Sequence, residues 1–252
     1  MPNERDTATE RTRLPHVVMD RDSRVWKARK IIALIGEERF LRARRILEIG
    51  CGSGVIAATL RELGGPRLEV HAVDVVDSRS ETTGYAFQLV TGTRLPFVDA
   101  SFDIVISNHV IEHVGPRPDQ LEHLREVHRI LAPDGLGYLA VPNKWRLVEP
   151  HFRLPLLSWL PQSLADRYVR TTGRGTHYDC LPLSMRDALG LFGEAGFEAS
   201  DATIAAFRAT VDIEFQAHGA FARASRATPD AVVRLAERAM PTFVFLLRPH
   251  PG

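Results

Sequence analysis

The stretch Ile46-Leu47-Glu48-Ile49-Gly50-Cys51-Gly52-Ser53-Gly54 does most to limit what this chain can fold into. An apolar run leads into three glycines at alternate positions, and a helix-forming stretch follows from Ser53 to Leu63, closed by Gly64-Gly65. Glycines at such a turn let the backbone reverse sharply and approach a ligand closely. The helix N-terminus adds unpaired N–H groups beside it. The spacing is informative. Dinucleotide sites use G-x-G-x-x-G, whereas here the third glycine, Gly54, comes one residue early and Val55 follows. The G-x-x-x-x-G-K-S/T phosphate loop is absent. Asp74 ends the next apolar run, twenty residues after Gly54. A carboxylate there can accept both hydroxyls of a ribose, which suits a nucleoside or a dinucleotide.

Short apolar runs and helical stretches alternate around this loop. Strands are predicted at 46–49, 68–73, 87–90, 102–107 and 136–141, with helices at 53–63 and 119–131. This alternation argues for a parallel α/β sheet. Residues 1–13 are polar and expected to fray, and 20–40 read as one helix. Residues 143–183 are irregular and rich in Pro, aromatics and His, as functional insertions often are. A helix over 185–195, capped by Ser184, a strand over 197–204, a mostly helical stretch over 212–240 and a strand over 242–247 complete the chain. The reading is one domain over 1–252. It has a helical segment at 14–43, a core at 44–142, a lid at 143–183 and a C-terminal part at 184–252.

The net charge of +1 argues against a broad grip on nucleic acid. Residues 1–45 carry twelve basic against seven acidic side chains, read as a solvated helix face or as a basic lid over an anionic substrate. Two cysteines, Cys51 and Cys180, make no disulfide framework. With no signal peptide and no apolar run of membrane-spanning length, a cytoplasmic location without stable membrane insertion is expected.

Four blocks in order, "LEIGCGSG", "VDVVD", "LPFVDASFDIVISNHVIEHV" and "LREVHRILAPDGLGYLAVPN", resemble class I S-adenosylmethionine-dependent methyltransferases. The likeness is to the small-molecule branch that includes ubiquinone-type O-methyltransferases. It covers 44–143 well and the remainder loosely. The resemblance implies a Rossmann-like, seven-stranded, mostly parallel sheet with an antiparallel last strand, flanked by helices. It implies S-adenosylmethionine as cofactor. Glu48, Gly50, Gly52 and Gly54, with Cys51, would hold the methionine end. Asp74, with Val75 beside it, would hold the ribose. An Asp that the family often places before "LPF" to contact adenine is replaced here by Thr91, followed by Gly92 and Thr93, whose hydroxyls or backbone could substitute. Asn108 would lie near the methyl group.

His109-x-x-Glu112-His113 matches a zinc-protease pattern when read alone. Its place after the fourth strand of a cofactor sheet, rather than within a long helix, argues for another role. His109, His113 and His151 are candidate catalytic residues, His109 foremost, because a neutral-range imidazole can take a proton from an acceptor hydroxyl. His177 is a further candidate. His109, Glu112 and His113 could instead hold a divalent metal, as the acidic equivalent of this cluster does in ubiquinone-type relatives, or Glu112 and His113 could merely order the substrate loop. His71, His123, His128, His218 and His250 carry no motif. Glu122, Arg125, Glu126 and Arg129 read as a solvated helix face. Trp145, Phe152, Leu156, Leu157, Trp159 and Tyr178 are expected to wall the acceptor site, which suits an aromatic, polyketide or lipid-linked acceptor.

The function expected is methyl transfer to a small-molecule acceptor, with oxygen favoured over nitrogen or carbon. The Arg-rich composition, with only three Lys among 32 basic residues, suggests bacterial specialised-metabolite or glycan biosynthesis. A nicotinamide oxidoreductase and a non-catalytic cofactor-binding scaffold are the rival classes. A homodimer could form through the N-terminal helix or the 212–240 segment.

Overall fold

The computed structural model describes residues 20–214 and 219–250. The fraying expected of 1–13, the start of the 14–43 segment, residues 215–218 of the helical stretch and His218 lie outside these residues.

The described chain opens with helices α1 (Arg21–Ile35) and α2 (Glu37–Arg42). The single helix expected over 20–40 is broken at Gly36, whose φ of 91° lies outside helical space and whose N–H closes back on the Ile32 carbonyl. Then follow β1 (Arg45–Ile49), α3 (Val55–Gly64), β2 (Glu69–Asp74), β3 (Ala86–Leu89), β4 (Phe102–Asn108), α4 (Arg117–Ile130) and β5 (Leu131–Pro142). The lid contains β6 (Val148–Glu149), β7 (Leu154–Pro155) and α5 (Gln162–Thr171). The chain continues through α6 (Met185–Glu194), β8 (Phe197–Asp201), α7 (Thr203–Ile213), α8 (Ala220–Ala227), α9 (Asp230–Ala236) and β9 (Thr242–Pro249). Ser184 caps α6 by accepting the Asp187 N–H. The strand expected over 197–204 stops at Asp201, whose carboxylate takes the Thr203 N–H as α7 begins. Among the described residues no helix is long and apolar enough to cross a membrane.

Seven strands form one sheet in the order β3-β2-β1-β4-β5-β9-β8. All run parallel except β9, the last in sequence, which is antiparallel to both neighbours. The strand order reverses between β1 and β4, and in such sheets ligands bind beyond the strand C-termini at that reversal. No helix separates β2 from β3. The intervening loop folds over the glycine turn instead, with Ser80 and Glu81 N–H groups donating to the Ser53 carbonyl at 3.0 Å.

Both sheet faces are covered, so the central strands are apolar on both sides. Leu47, Ile49, Val105, Leu139, Val141 and Phe245 pack with Leu124, Val127, Leu191 and Phe192 from α4 and α6. Ile46, Val70, Ile104, Ile106, Tyr138 and Ala140 pack on the other face with Ala28, Ile31, Ile56 and Leu60 from α1 and α3. Each fully buried aliphatic side chain contributes about 1.5–3 kcal/mol relative to exposure. The lid has a small core of its own, built from Phe152, Leu154, Leu157, Ala165, Val169, Tyr178 and Cys180. Buried Asn143 fastens its start, with Nδ2 donating to the Arg238 and Met240 carbonyls at 2.8 and 2.9 Å.

Glu126 and Arg129 do not form a solvated face. Glu126 is buried and accepts the Leu95 N–H at 2.8 Å, while Arg129 donates to Glu126, Asp99 and the Leu95 and Phe97 carbonyls. Together they pin the loop leading into β4.

Phe245 is fully buried on β9 with its ring 4.9 Å from that of Phe192. Phe245→Ala should cost about 3–5 kcal/mol in urea unfolding. A loss below about 1 kcal/mol would contradict its place in the core.

Candidate functional site

A cleft of about 920 Å³ opens at the C-terminal ends of β1, β2, β4 and β5, between α1 and the lid. Its floor is the glycine turn. The Gly50 N–H bonds the Val73 carbonyl at 2.8 Å, which ties the turn to β2. Gly50 has a φ of 69°, and a Cβ there would collide with Val110. Gly54 has a φ of 77° as it begins α3, and a Cβ there would strike the Tyr85 hydroxyl and the Glu81 carbonyl. Only glycine satisfies both backbone and space at these positions. Asp74 closes this side. One carboxylate oxygen accepts the Gly52 N–H at 2.8 Å and the other the Val75 N–H at 2.7 Å. The second oxygen also takes a longer bond from the Val76 N–H at 3.4 Å, and the first keeps a lone pair for a further donor.

Glu48 sits at the end of β1 and is 2% exposed. Burial pushes its carboxyl up to about 8, although the Ala57 backbone N–H and the Arg24 charge pull the other way. Arg24, on α1, is depressed by its own burial. Neither side chain is fully satisfied: Glu48 Oε2 and Arg24 Nε are buried without a hydrogen-bond partner. Lys27, one turn further along α1, also lines the cleft, and burial with Lys30 nearby lowers its ammonium to about 7. Lys30 itself is held by Glu214 at 2.6 Å and Thr210 at 2.8 Å. Buried donors and acceptors without partners are uncommon, and here they face a space able to hold a ligand.

The other half of the cleft lies under the lid. His109 follows β4 with a φ of 59°, a left-handed conformation unusual for a residue with a Cβ. Its N–H donates to the Ala140 carbonyl at 2.9 Å, and its Nδ1 lies 3.4 Å from Glu112 Oε1. Glu112 is 1% exposed, with Oε1 also 4.0 Å from His113 Nε2 and with Oε2 lacking a partner. The rings of His113 and His151 meet edge to face at 5.7 Å. Arg146, Glu149, Ser158, Tyr178, Asp179 and Cys180 complete this wall.

Of the residues singled out from the sequence, Glu48, Gly50, Cys51, Gly52, Asp74, Val75, Asn108, His109, Glu112, His113 and His151 all line this cleft. Gly54, Thr91, Gly92 and Thr93 do not; Thr91 and Gly92 are exposed on the chain after β3. The aromatic wall is not built as expected. Phe152 and Leu157 are consumed by the lid's own core, Trp145, Leu156 and Trp159 point to solvent, and only Tyr178 of the six faces the cleft. His177 is outside the lining. His123 is buried beside Ser107 Oγ at 3.1 Å, and burial depresses it to about 4, so it is neutral and structural. Sequence reasoning missed Arg24, Lys27, Glu149 and Cys180 as cleft residues. For Arg24 and Lys27 the signal was the basic excess of the N-terminal segment, and for Glu149 and Cys180 their place in the irregular 143–183 insertion.

Comparison with known proteins gives a consistent result. Residues 47–139 match the model of a methyltransferase domain family. The chain is 27% identical over 173 residues to a ubiquinone biosynthesis O-methyltransferase of Ruegeria pomeroyi, covering 66% of this chain and 65% of that one. It therefore spans less than two thirds of the length of that curated relative. A solved S-adenosylmethionine-dependent methyltransferase from Mesorhizobium loti superposes with a TM-score of 0.52 at 18% identity, covering 81% and 90% of the two chains. The cyclase SpnF superposes with a TM-score of 0.51 at 16% identity, covering 88% and 81%. These likenesses are of fold, and a fold shared with a cyclase leaves the chemistry to the site.

The raised carboxyl of Glu48 has a consequence for stability. Between its ordinary value near 4.5 and about 8 the folded chain keeps this proton while the unfolded chain loses it. The contribution of Glu48 to the stability of the ligand-free protein therefore falls as pH rises through that window and levels off above it. Glu48→Gln should flatten this decline when unfolding is compared at about pH 5 and about pH 9. An unchanged decline would show that Glu48 is ionised in the folded chain.

Proposed function

We propose that the chain is a class I S-adenosylmethionine-dependent methyltransferase, as its methyltransferase-domain match, its relatives and its sheet order support, and that it methylates a hydroxyl oxygen of a small acceptor. The observation that carries this reading is the buried, incompletely satisfied pair of Glu48 and Arg24 beside the glycine turn. A carboxyl and a guanidinium in one cleft suit the two ends of an amino acid, whose ammonium would draw the proton from Glu48. Glu48 would hold the cofactor's ammonium, and Arg24 and Lys27 its carboxylate. Asp74 would take the ribose through Oδ2, which has only the Gly52 N–H as donor, with Val75 against the adenine and Asn108 toward the methyl end. Thr91, Gly92 and Thr93 would reach the adenine only through movement of their exposed loop.

When bound, the cofactor supplies an electrophilic methyl group on a positively charged sulfur. The protein's task is then to place the acceptor in line and to remove its proton. His109 is positioned for the second task. Glu112, 3.4 Å from Nδ1, favours the tautomer that keeps the proton there and leaves Nε2 to accept the hydroxyl proton. The left-handed backbone of His109, pinned by the Ala140 carbonyl, aims the ring into the cleft. His113 and His151 line the acceptor half beside it. The acceptor side sets His, Arg, Glu, Asp and Ser side chains among Tyr178, Val110 and three prolines. The polar groups suit an acceptor with several oxygens, such as a glycan unit or a sugar-bearing metabolite, and the apolar ones suit a non-polar part of it.

The test is transfer of labelled methyl from S-adenosylmethionine to a panel of sugars and phenols. His109→Ala should lower turnover about 10²–10⁴-fold with cofactor affinity nearly unchanged. Wild-type turnover in this variant would remove His109 from the chemistry. Asp74→Ala should weaken cofactor binding by about 1.5–3 kcal/mol, the worth of hydrogen bonds to a charged group. Unchanged affinity would place the ribose elsewhere.

A further inference from the structure

We propose that His113, His151 and Cys180 form a binding site for a zinc-class divalent cation where the lid meets the cleft. One ligand atom from each of these side chains lies within 4.8 Å of the other two. A tetrahedral centre with metal–nitrogen and metal–sulfur bonds of about 2.0–2.3 Å needs ligand atoms about 3.5 Å apart, so the site closes by about 1 Å. The three residues come from distant parts of the chain. His113 ends the short turn after β4, His151 lies in the β6–β7 hairpin, and Cys180 lies where the lid returns to the core. Two of these positions are firmly held: the Leu181 N–H donates to the Glu112 carbonyl at 2.7 Å, and Gln120 Nε2 donates to the Leu181 carbonyl at 2.9 Å.

The surroundings independently favour a cation. Glu112 presents a buried carboxylate oxygen without a hydrogen-bond partner, and its other oxygen is 4.0 Å from His113 Nε2. Glu112, Glu149 and Asp179 also line this part of the cleft and place negative charge around Cys180. A cysteine there can serve as a ligand by giving up its proton to a bound metal. Two imidazoles and a thiolate select zinc, or cobalt as its stand-in, over magnesium or calcium. Three protein ligands leave a fourth position open, as in catalytic rather than structural zinc sites. Only His113 is shared with the His109, Glu112 and His113 set suggested by the sequence; the thiol and the lid histidine change both the metal and its place. That the open position polarises an acceptor hydroxyl rests on the transfer reading above. The binding site itself does not.

The experiment is a cobalt(II) titration of the chelator-treated full chain, read by sulfur-to-cobalt charge-transfer absorbance in the near ultraviolet. One cobalt per chain should produce the band, and added zinc should bleach it. Cys180→Ser should abolish the band, and His151→Ala, at a partly exposed position, should weaken cobalt affinity at least ~10-fold. Absence of the band in the wild-type chain overturns the proposal. So does a band that survives Cys180→Ser, since the sulfur would then be Cys51, or one with unchanged affinity in His151→Ala. Calorimetry with S-adenosylhomocysteine on the same samples reports the cofactor half of the cleft separately. Loss of metal binding with cofactor binding intact therefore fails this inference alone.

Discussion

Glu48 is a carboxylate at the end of a strand buried on both faces, and the organisation of the cleft follows from the cost of burying it. A charged group removed from water must be compensated or neutralised. Here the compensation is partial. The Ala57 N–H and the Arg24 guanidinium act on it, yet its carboxyl remains raised and one of its oxygens has no partner. Arg24 is in the same position from the other side. Natural sequences keep such incomplete arrangements where a ligand supplies the missing partner. The parallel sheet, the glycine turn and α1 bring these two charges to one place and leave room between them and the lid.

The two halves of the cleft differ in character. The half near β1 and β2 is built from backbone and fixed charges: a glycine turn that tolerates no Cβ at Gly50 or Gly54, and an Asp74 locked by three N–H groups. The half under the lid is built from titratable side chains on loops, namely His109, His113, His151, Glu112, Glu149 and Cys180. The first half is fixed by backbone bonding, and the second rests on loop side chains.

The sheet was largely legible because its strands are apolar on both faces and are bounded by glycines, prolines and capping residues. What the sequence hid has specific causes. Gly36 breaks the first helix through one backbone angle that periodicity does not register. The loop between β2 and β3 does the work of a helix by bonding to Ser53. The lid aromatics were read as walls because spacing cannot tell an inward from an outward face in an irregular segment; Phe152 and Leu157 turned into a local core and Trp145 and Trp159 to solvent. In the cleft, the glycines, Glu48, Asp74 and the His109 cluster could be singled out because they stand in compact motifs. Arg24 and Lys27 could not, since α1 buries a lysine, Lys30, among its apolar residues and so blurs the face it turns to the cleft. Cys180 was hidden because its neighbours His113 and His151 are far from it in sequence.

The central claim is that Glu48, Arg24 and Lys27 form a seat for a zwitterionic amino-acid group attached to a nucleoside. The most direct measurement is a pair of calorimetric titrations, one with S-adenosylhomocysteine and one with 5′-methylthioadenosine, which keeps the nucleoside and sulfur but lacks the amino-acid end. The account predicts one site per chain for the first and at least ~100-fold weaker binding of the second, from the loss of two charge-assisted contacts of about 1.5–3 kcal/mol each. Equal affinity for the two would contradict it, because the buried charges would then have no part in holding the ligand.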